Sequence, residues 1–186
     1  MEFATYILTG GNSTRMGADK ALQQYKNNSF LFYITSAVKS LSLSFKLVSS
    51  KAIHHQLGYN YIMDIKKDKG PVSGITSALK DSLSEWNLIL SCDTPLLQSS
   101  FLEWLLENYS PKHDATICLV DEKKMSLTAI YNKSCVTVFE KHLQQDQLRV
   151  MSVIENLNVK YISVPTELRA QLANINTPEQ LKEISI

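Results

Sequence analysis

Leu8-Thr9-Gly10-Gly11-Asn12-Ser13-Thr14-Arg15-Met16-Gly17-Ala18-Asp19-Lys20 follows directly on the apolar run Phe3-Ala4-Thr5-Tyr6-Ile7. That run is β-branched and aromatic, nearly uncharged and closed by glycine, which predicts a short buried strand over Phe3 to Leu8. The glycine-rich loop then leaves the carboxyl end of a strand, the edge of an open α/β sheet at which ligands bind. Glycine lets the backbone come close to a ligand and turn successive N–H groups towards it, while Arg15 and Lys20 carry the positive charge that phosphate oxygens need. The segment therefore predicts a triphosphate site; the competing assignment is a connecting turn with two surface cations. A Walker A loop needs Gly-Lys followed by Ser or Thr, and the dinucleotide fingerprint needs glycines at its first, third and sixth positions. Neither spacing occurs here.

Outward from this segment, apolar runs alternate with helical patterns. Helix is predicted over Ser29 to Leu41, strand over Phe45 to Val48, strand over Tyr59 to Met63, and helix over Val72 to Leu83 behind Gly70-Pro71. Strand then follows at Asn87 to Ser91 and an amphipathic helix at Ser99 to Asn108, so the first two thirds read as repeated βαβ units. Pro71 and Ser99 fit the residue types that start helices. After Asp114 the pattern changes. Ala115 to Val120 and Leu127 to Tyr131 flank the charged turn Asp121-Glu122-Lys123-Lys124, which predicts an antiparallel hairpin on the sheet edge. Helices at Val136 to Leu143 and Val150 to Leu157, a strand at Val159 to Val164 and a last helix opened by Thr177-Pro178-Glu179 complete the pattern.

The chain has 186 residues, 44% hydrophobic and 20% charged. One domain of this size buries roughly 70% of the surface its unfolded form exposes, so a single domain over 1–186 is expected. Nineteen basic and eighteen acidic residues leave a formal net charge of +1. No long-range field recruits nucleic acid or a membrane, and an anionic ligand must be held by local charge. Cys92, Cys118 and Cys135 are odd in number and far apart, which argues against a disulfide framework or a zinc site. A basic leader and a bilayer-long apolar run are both missing, so a cytoplasm of bacterial type is expected.

Three further constellations bear chemistry. Leu88-Ile89-Leu90-Ser91 runs into Cys92-Asp93-Thr94-Pro95, where Pro95 stops strand pairing and leaves Asp93 at the carboxyl end. Asp93 suits a magnesium ion, which takes one or two carboxylates plus substrate phosphates; a turn aspartate capping the following helix fits as well. Gly70-Pro71-Val72-Ser73-Gly74-Ile75 opens a helix, and helix N-termini attract anions. Asp64, just upstream, is placed to accept hydrogen bonds from a guanine, with a solvated loop aspartate as the alternative. Asn174 and Asn176 alternate ahead of the last helix, where one of them serves equally as a cap. His54-His55 reads as a pair of solvated loop histidines, and Lys66-Lys67-Asp68-Lys69 as a mobile basic loop, with closure over phosphates as the alternative.

Leu8-Thr9-Gly10-Gly11-x-Ser13-x-Arg15-Met16-Gly17-x-Asp19-Lys20, Gly70-Pro71-x-x-Gly74-Ile75, Cys92-Asp93-x-Pro95 and Asn174-x-Asn176-Thr177-Pro178-Glu179 occur in the order found in molybdenum cofactor guanylyltransferases. The chain resembles that family over nearly its whole length, and the Gly10-Gly11 form favours guanine over the Ala-Ala-Gly of the cytidylyl relatives. The resemblance implies a Rossmann-like three-layer α/β nucleotidyltransferase fold, with a mostly parallel sheet and a small antiparallel edge. It implies transfer of GMP from GTP to the terminal phosphate of molybdenum-molybdopterin, with Mg2+ as cofactor and molybdoenzymes or their chaperones as further partners. Leu8, Thr9, Gly10 and Gly11 would line the nucleotide, Asp64 would meet its base, and Lys20 and Arg15 its phosphates. Asp93 would ligate magnesium, so that Arg15, Lys20 and Asp93 carry catalysis. Arg149, Asn174 and Asn176 resemble residues of the pterin side. The chain departs from the pattern at three places. Ser49 or Ser50 stands for an asparagine, Thr9 for the commoner alanine, and Lys124 to Ala129 lacks a proline. A related transferase using CTP or a sugar phosphate, and a non-catalytic protein that delivers the cofactor, remain the alternatives.

Overall fold

The computed structural model describes residues 2–10 and 19–184. Strands β1 (Phe3–Leu8), β4 (Phe45–Val48), β5 (Tyr61–Ile62), β6 (Trp86–Ser91), β7 (Ala115–Val120), β8 (Lys123–Asn132) and β9 (Val159–Ser163) form one sheet, and β2 (Gln24–Tyr25) and β3 (Asn28–Ser29) a small hairpin apart from it. Among the described residues the main sheet has seven strands in the order β5-β4-β1-β6-β8-β7-β9. Its helices are α1 (Phe30–Ser40), α2 (Ala52–His55), α3 (Gly70–Asp81), α4 (Ser99–Asn108), α5 (Val136–Gln144), α6 (Val150–Ile154) and α7 (Pro178–Glu183).

Strand β1 pairs in parallel with β4 and β6, and β4 with β5. Strand β8 runs antiparallel to both β6 and β7, while β9 is again parallel to β7. The hairpin expected at the sheet edge is present, and β9 adds outside it, so β7 and β8 lie inside the sheet. Its turn is tighter than the charge pattern suggested. Asp121 (φ 47°) and Glu122 (φ 65°) make the two-residue connection, both left-handed as the twist of a hairpin favours, and Lys123 and Lys124 already belong to β8.

Side chains alternate across the sheet into two cores, as the period of a strand requires. Ile7, Leu47, Leu88 and Leu90 pack with Leu31, Ile34 and Val38 of α1 and with Phe101, Leu102 and Leu105 of α4. Tyr6, Leu8, Val48 and Ile89 pack on the other face with Ile75 and Leu79 of α3, Phe139 of α5 and Val153 of α6. This is a three-layer α/β architecture.

Local chemistry sets the element ends. Ser29 caps α1, its hydroxyl accepting from Phe32 N at 3.2 Å, so the helix starts one residue after the predicted serine. Pro71 lies in the first turn of α3, and Thr177 caps α7. Of the strand expected over Tyr59 to Met63, only Tyr61 and Ile62 pair, because β5 is an edge strand with one short neighbour. The β2–β3 hairpin and α2 are too short to show a period in the sequence.

Candidate active site

The register brings four strand ends level. Leu8 lies opposite Val48 on one side and Ser91 on the other, and Val48 opposite Ile62. Because β1, β4, β5 and β6 are parallel, whatever follows each of them emerges at one edge: Thr9-Gly10, Ser49-Ser50, Asp93 and Asp64. The topology thus gathers these strand ends at the carboxyl edge of the sheet, the place where open α/β folds bind ligands.

At the centre of the edge Lys20, Asp93 and Asn176 meet. Lys20 Nζ lies 3.5 Å from Asp93 Oδ2 and donates to Asn176 Oδ1. The two charged side chains are 18% and 14% exposed, so solvent screens their attraction only in part. Asn176, assigned by resemblance to the pterin side, thus contacts the lysine that the same resemblance assigns to the phosphates. The segment that carries it is fixed to the strand end by Ile175 N donating to Asp93 O at 2.8 Å. Asn174 lies two residues along the same segment, half-buried.

Asp64 faces Gly10. A methyl placed on Gly10 would stand 3.9 Å from Asp64 Oδ2 and the same distance from Val48 O, in ordinary contact with both. The other carboxylate oxygen of Asp64 is met by the Ser73 hydroxyl, from the first turn of α3. Burial pushes the Asp64 carboxyl above its ordinary value, and hydrogen bonds from Ser73, the Lys66 backbone and Ser77 offset this only in part. The sequence signal for Ser73 was available: it is the small polar residue inside Gly70-Pro71-Val72-Ser73-Gly74.

Thr9 is buried, and its amide and hydroxyl both reach Val48 O at 3.2 Å. The hydroxyl that replaces the family's alanine therefore turns inwards, away from the site. The side chain of Leu8 is also in the core, against Gly74 of α3, so Leu8 presents backbone alone to the edge. Gly11 and Arg15 lie outside the described residues.

Asp19 anchors the far end of the glycine-rich loop. Its carboxylate accepts from Ala21 N at 3.0 Å, capping a short turn of 3-10 helix over Lys20–Leu22, and from Lys51 Nζ at 2.7 Å. It also accepts from His54 Nε2 at 2.9 Å. Burial opposes ionisation, but the hydrogen bonds and charges of His54 and Lys51 prevail and bring the Asp19 carboxyl down to about 2.

The histidine pair corrects the reading of solvated loop residues. His54 is fully buried, with Nδ1 2.7 Å from Ser49 Oγ. His55 is half-buried and stacks on Tyr61 with ring centroids 3.8 Å apart. Sequence reasoning missed His54 because α2, which carries it, is a single turn; its position just past the end of β4 was the one available signal. Cys92 is a buried small residue as expected, its thiol pushed up to about 12 by burial and then by the Asp93 charge.

Arg149 is not brought to this group. It is exposed at the start of α6 and borders a depression of about 410 Å³ with Asp146, Gln147 and Glu155. The basic loop leans the same way, Lys69 pairing with Asp146 at 2.7 Å and Lys66 Nζ donating to Leu143 O at 3.4 Å. Among the described residues no helix is long and apolar enough to cross a membrane.

Comparison with known proteins agrees with this fold. A probable molybdenum cofactor guanylyltransferase of Flavobacterium johnsoniae is 30% identical over 182 residues, covering 98% of this chain and 96% of its own length. One from Aquifex aeolicus is 27% identical, covering 96% and 88%. Among solved structures, the molybdopterin-guanine dinucleotide biosynthesis protein A of Archaeoglobus fulgidus superposes with a TM-score of 0.84 at 24% identity, covering 98% of this chain and 97% of that one. A CMP:2-keto-3-deoxy-manno-octonic acid synthetase superposes with a TM-score of 0.73 at 9% identity, a likeness of fold alone. The model of the MobA-like NTP transferase domain matches residues 5–160, and by that match together with the relatives covered over nearly their whole length, the chain belongs to the MobA-like nucleotidyltransferase family.

Proposed function

We propose that the protein transfers GMP from GTP to the terminal phosphate of molybdenum-bound molybdopterin. An oxygen of that phosphate attacks the α-phosphorus of GTP, the new P–O bond forms as the bond to the β-phosphate breaks, and pyrophosphate leaves. The observation that carries the reading is the meeting of Lys20, Asp93 and Asn176 at the strand edge, beside the Asp64–Gly10 pair. One group thus offers a cation and a carboxylate for phosphates, and the other a carboxylate beside a glycine for a base. The names of relatives matched over nearly their whole length support the same substrates.

Asp93 would hold magnesium. Among the described residues no three His, Cys, Asp or Glu side chains converge on a metal position. One carboxylate beside a phosphate site is the donor set magnesium accepts, the rest of its shell coming from phosphate oxygens and water. Magnesium bound there supplies charge neutralisation to the leaving pyrophosphate. Lys20 orients the phosphates and neutralises the transition state, and without bound ligand its ammonium is satisfied by Asp93 and Asn176. Asp64 accepts from the base. No protein nucleophile is needed, since aligning two anions and neutralising their charge accounts for the catalysis.

The test is nucleotidyl transfer to molybdenum-molybdopterin, GMP from GTP against CMP from CTP, with Lys20→Ala and Asp93→Asn alongside. Each variant should fold and lose about a hundredfold or more in turnover, the cost of removing one preorganised electrostatic contact. Turnover from CTP at the GTP rate, or either variant at the wild-type rate, would overturn the assignment.

A further inference from the structure

His54 carries a chain of polar contacts that the proposed reaction does not itself use. The imidazole is fully buried, yet both ring nitrogens are engaged: Nδ1 with Ser49 Oγ at 2.7 Å and Nε2 with Asp19 Oδ1 at 2.9 Å. The polarity of the chain follows from its ends. The Asp19 carboxyl lies well below the ordinary carboxylate range, so it is an acceptor alone and Nε2 supplies the hydrogen. Ser49 Oγ already accepts from Lys51 N at 3.0 Å, which leaves its own hydroxyl hydrogen for Nδ1. Ser49 is the first residue beyond β4, paired through its amide to Ile62 O at 3.1 Å, and so belongs to the rigid sheet. Asp19 in turn caps the turn whose first residue is Lys20.

We infer that His54 is a positioning residue: it ties Asp19 to the end of β4 and thereby sets the ammonium of Lys20 beside Asp93 and Asn176. Two features favour this over a packing role. A buried residue needed only for volume is apolar, because a buried polar ring costs free energy unless each nitrogen is satisfied. The partners on either side also belong to different units, a sheet end and the loop that carries the lysine, 35 residues apart in the case of His54 and Asp19. Among the described residues Ala21 N, Lys51 and His54 hold Asp19; Lys51 spans to Ser49 through its backbone and a long flexible side chain, whereas His54 spans the same two groups with one rigid ring. The role assigned to Lys20 rests on the proposed transfer reaction, whereas its placement by His54 does not.

Competitive acylation of lysines on the nucleotide-free protein tests the placement directly. Trace acetic anhydride labels each amine according to its freedom, and mass spectrometry reads Lys20 against exposed Lys112 in the same molecule. His54→Gln keeps a donor at the distance of Nε2, whereas His54→Asn reaches only towards Ser49. Loss of one buried hydrogen bond predicts Lys20 labelling about fivefold faster in His54→Asn, and within roughly twofold of wild type in His54→Gln. Asp19→Ala removes the Lys51 and Ala21 contacts as well and should free Lys20 at least as much, with no further increase on adding His54→Asn, which then has no Asp19 carboxylate to lose. Equal labelling of Lys20 in wild type and His54→Asn, or equal acceleration in the Gln and Asn variants, would overturn the inference. If His54→Asn fails to fold, Asp19→Ala is read against Lys51→Met, which leaves the His54 contact in place: faster Lys20 labelling in Asp19→Ala than in Lys51→Met supports the inference, and unchanged labelling in Asp19→Ala, or labelling equal in the two, overturns it. Should the wild type fail to transfer GMP while the labelling pattern holds, the reaction assignment falls and the positioning role stands.

Discussion

In the proposed reaction Asp64, a half-buried carboxylate, can serve the base only when ionised. A guanine offers N–H donors, which an ionised carboxylate accepts and a protonated one meets with a donor of its own. Because burial raises its pKa, ionisation is lost at a higher pH than for an ordinary aspartate at 3.8. GTP affinity should therefore hold above that raised pKa and fall as the pH drops through it. Calorimetric titration across the acid range should show this, and Asp64→Asn should lose about tenfold in affinity with a flat pH profile. Asp19 works with the opposite sign. Its folded pKa, about 2, lies below the unfolded value. The stability it contributes is thus full above about pH 4, and is lost as the pH falls towards 2. That contribution is on the order of 2 kcal/mol, to be read as the deficit of Asp19→Asn in urea at neutral pH, which should shrink in acid. Asp64, Asp93 and Lys20 were legible as candidates because Asp64 and Asp93 follow strand ends and Lys20 closes the glycine-rich segment. Sequence reasoning missed His54, whose importance arises from two partners distant in the chain, and no local pattern encodes that.

Elements meet at the site through glycine. Gly74 lets α3 lie close on β1: a Cβ there would stand 3.2 Å from Leu8 Cδ2, closer than side chains normally pack. Gly74→Ala combines a helix-propensity gain of up to about 1 kcal/mol with a forced shift of Leu8, and the two should nearly cancel. Gly74→Val adds two more methyl groups that have nowhere to go. It should cost about 1–3 kcal/mol by urea unfolding, and it should also weaken GTP binding, because Leu8 leads directly into Thr9 and Gly10. Binding at the wild-type level in a destabilised Gly74→Val would show that the strand end is set independently of α3. At this scale the sequence was most readable where a period had room to repeat. Strands β1, β4 and β7 and helix α4 match their predicted bounds residue for residue. Strand β5, helix α2 and the β2–β3 hairpin owe their existence to neighbours, and β9 took the outer place beyond the hairpin because strand order is a property of the whole sheet.

Across the whole molecule, the site is closed by the last part of the chain. Lys20 and Asn176 are 156 residues apart in sequence, and the family match ends at residue 160, before Asn176 is reached. What holds Asn176 is α7 and its surroundings. Asn176 N donates to Gln180 Oε1 at 2.7 Å, and Tyr25 donates from its hydroxyl to Ile184 O at 3.0 Å. Leu181 and Ile184 pack on the small cluster of Tyr25, Phe30 and Ile175. No residue of α7 is itself buried and no strand of the sheet touches its backbone ladder, so the helix adds little to the two main cores. Deleting residues 178–186 should therefore leave the α/β sheet folded, at a cost of about 1–2 kcal/mol from the two partly covered side chains. It should nevertheless cut turnover about tenfold, because Asn176 then loses the contacts that aim it at Lys20. Circular dichroism melts and GMP transfer on the same preparations separate the two effects. A truncated chain that melts nearly as the full one yet transfers slowly places α7 in the site, while one that loses stability and rate together makes it part of the common scaffold.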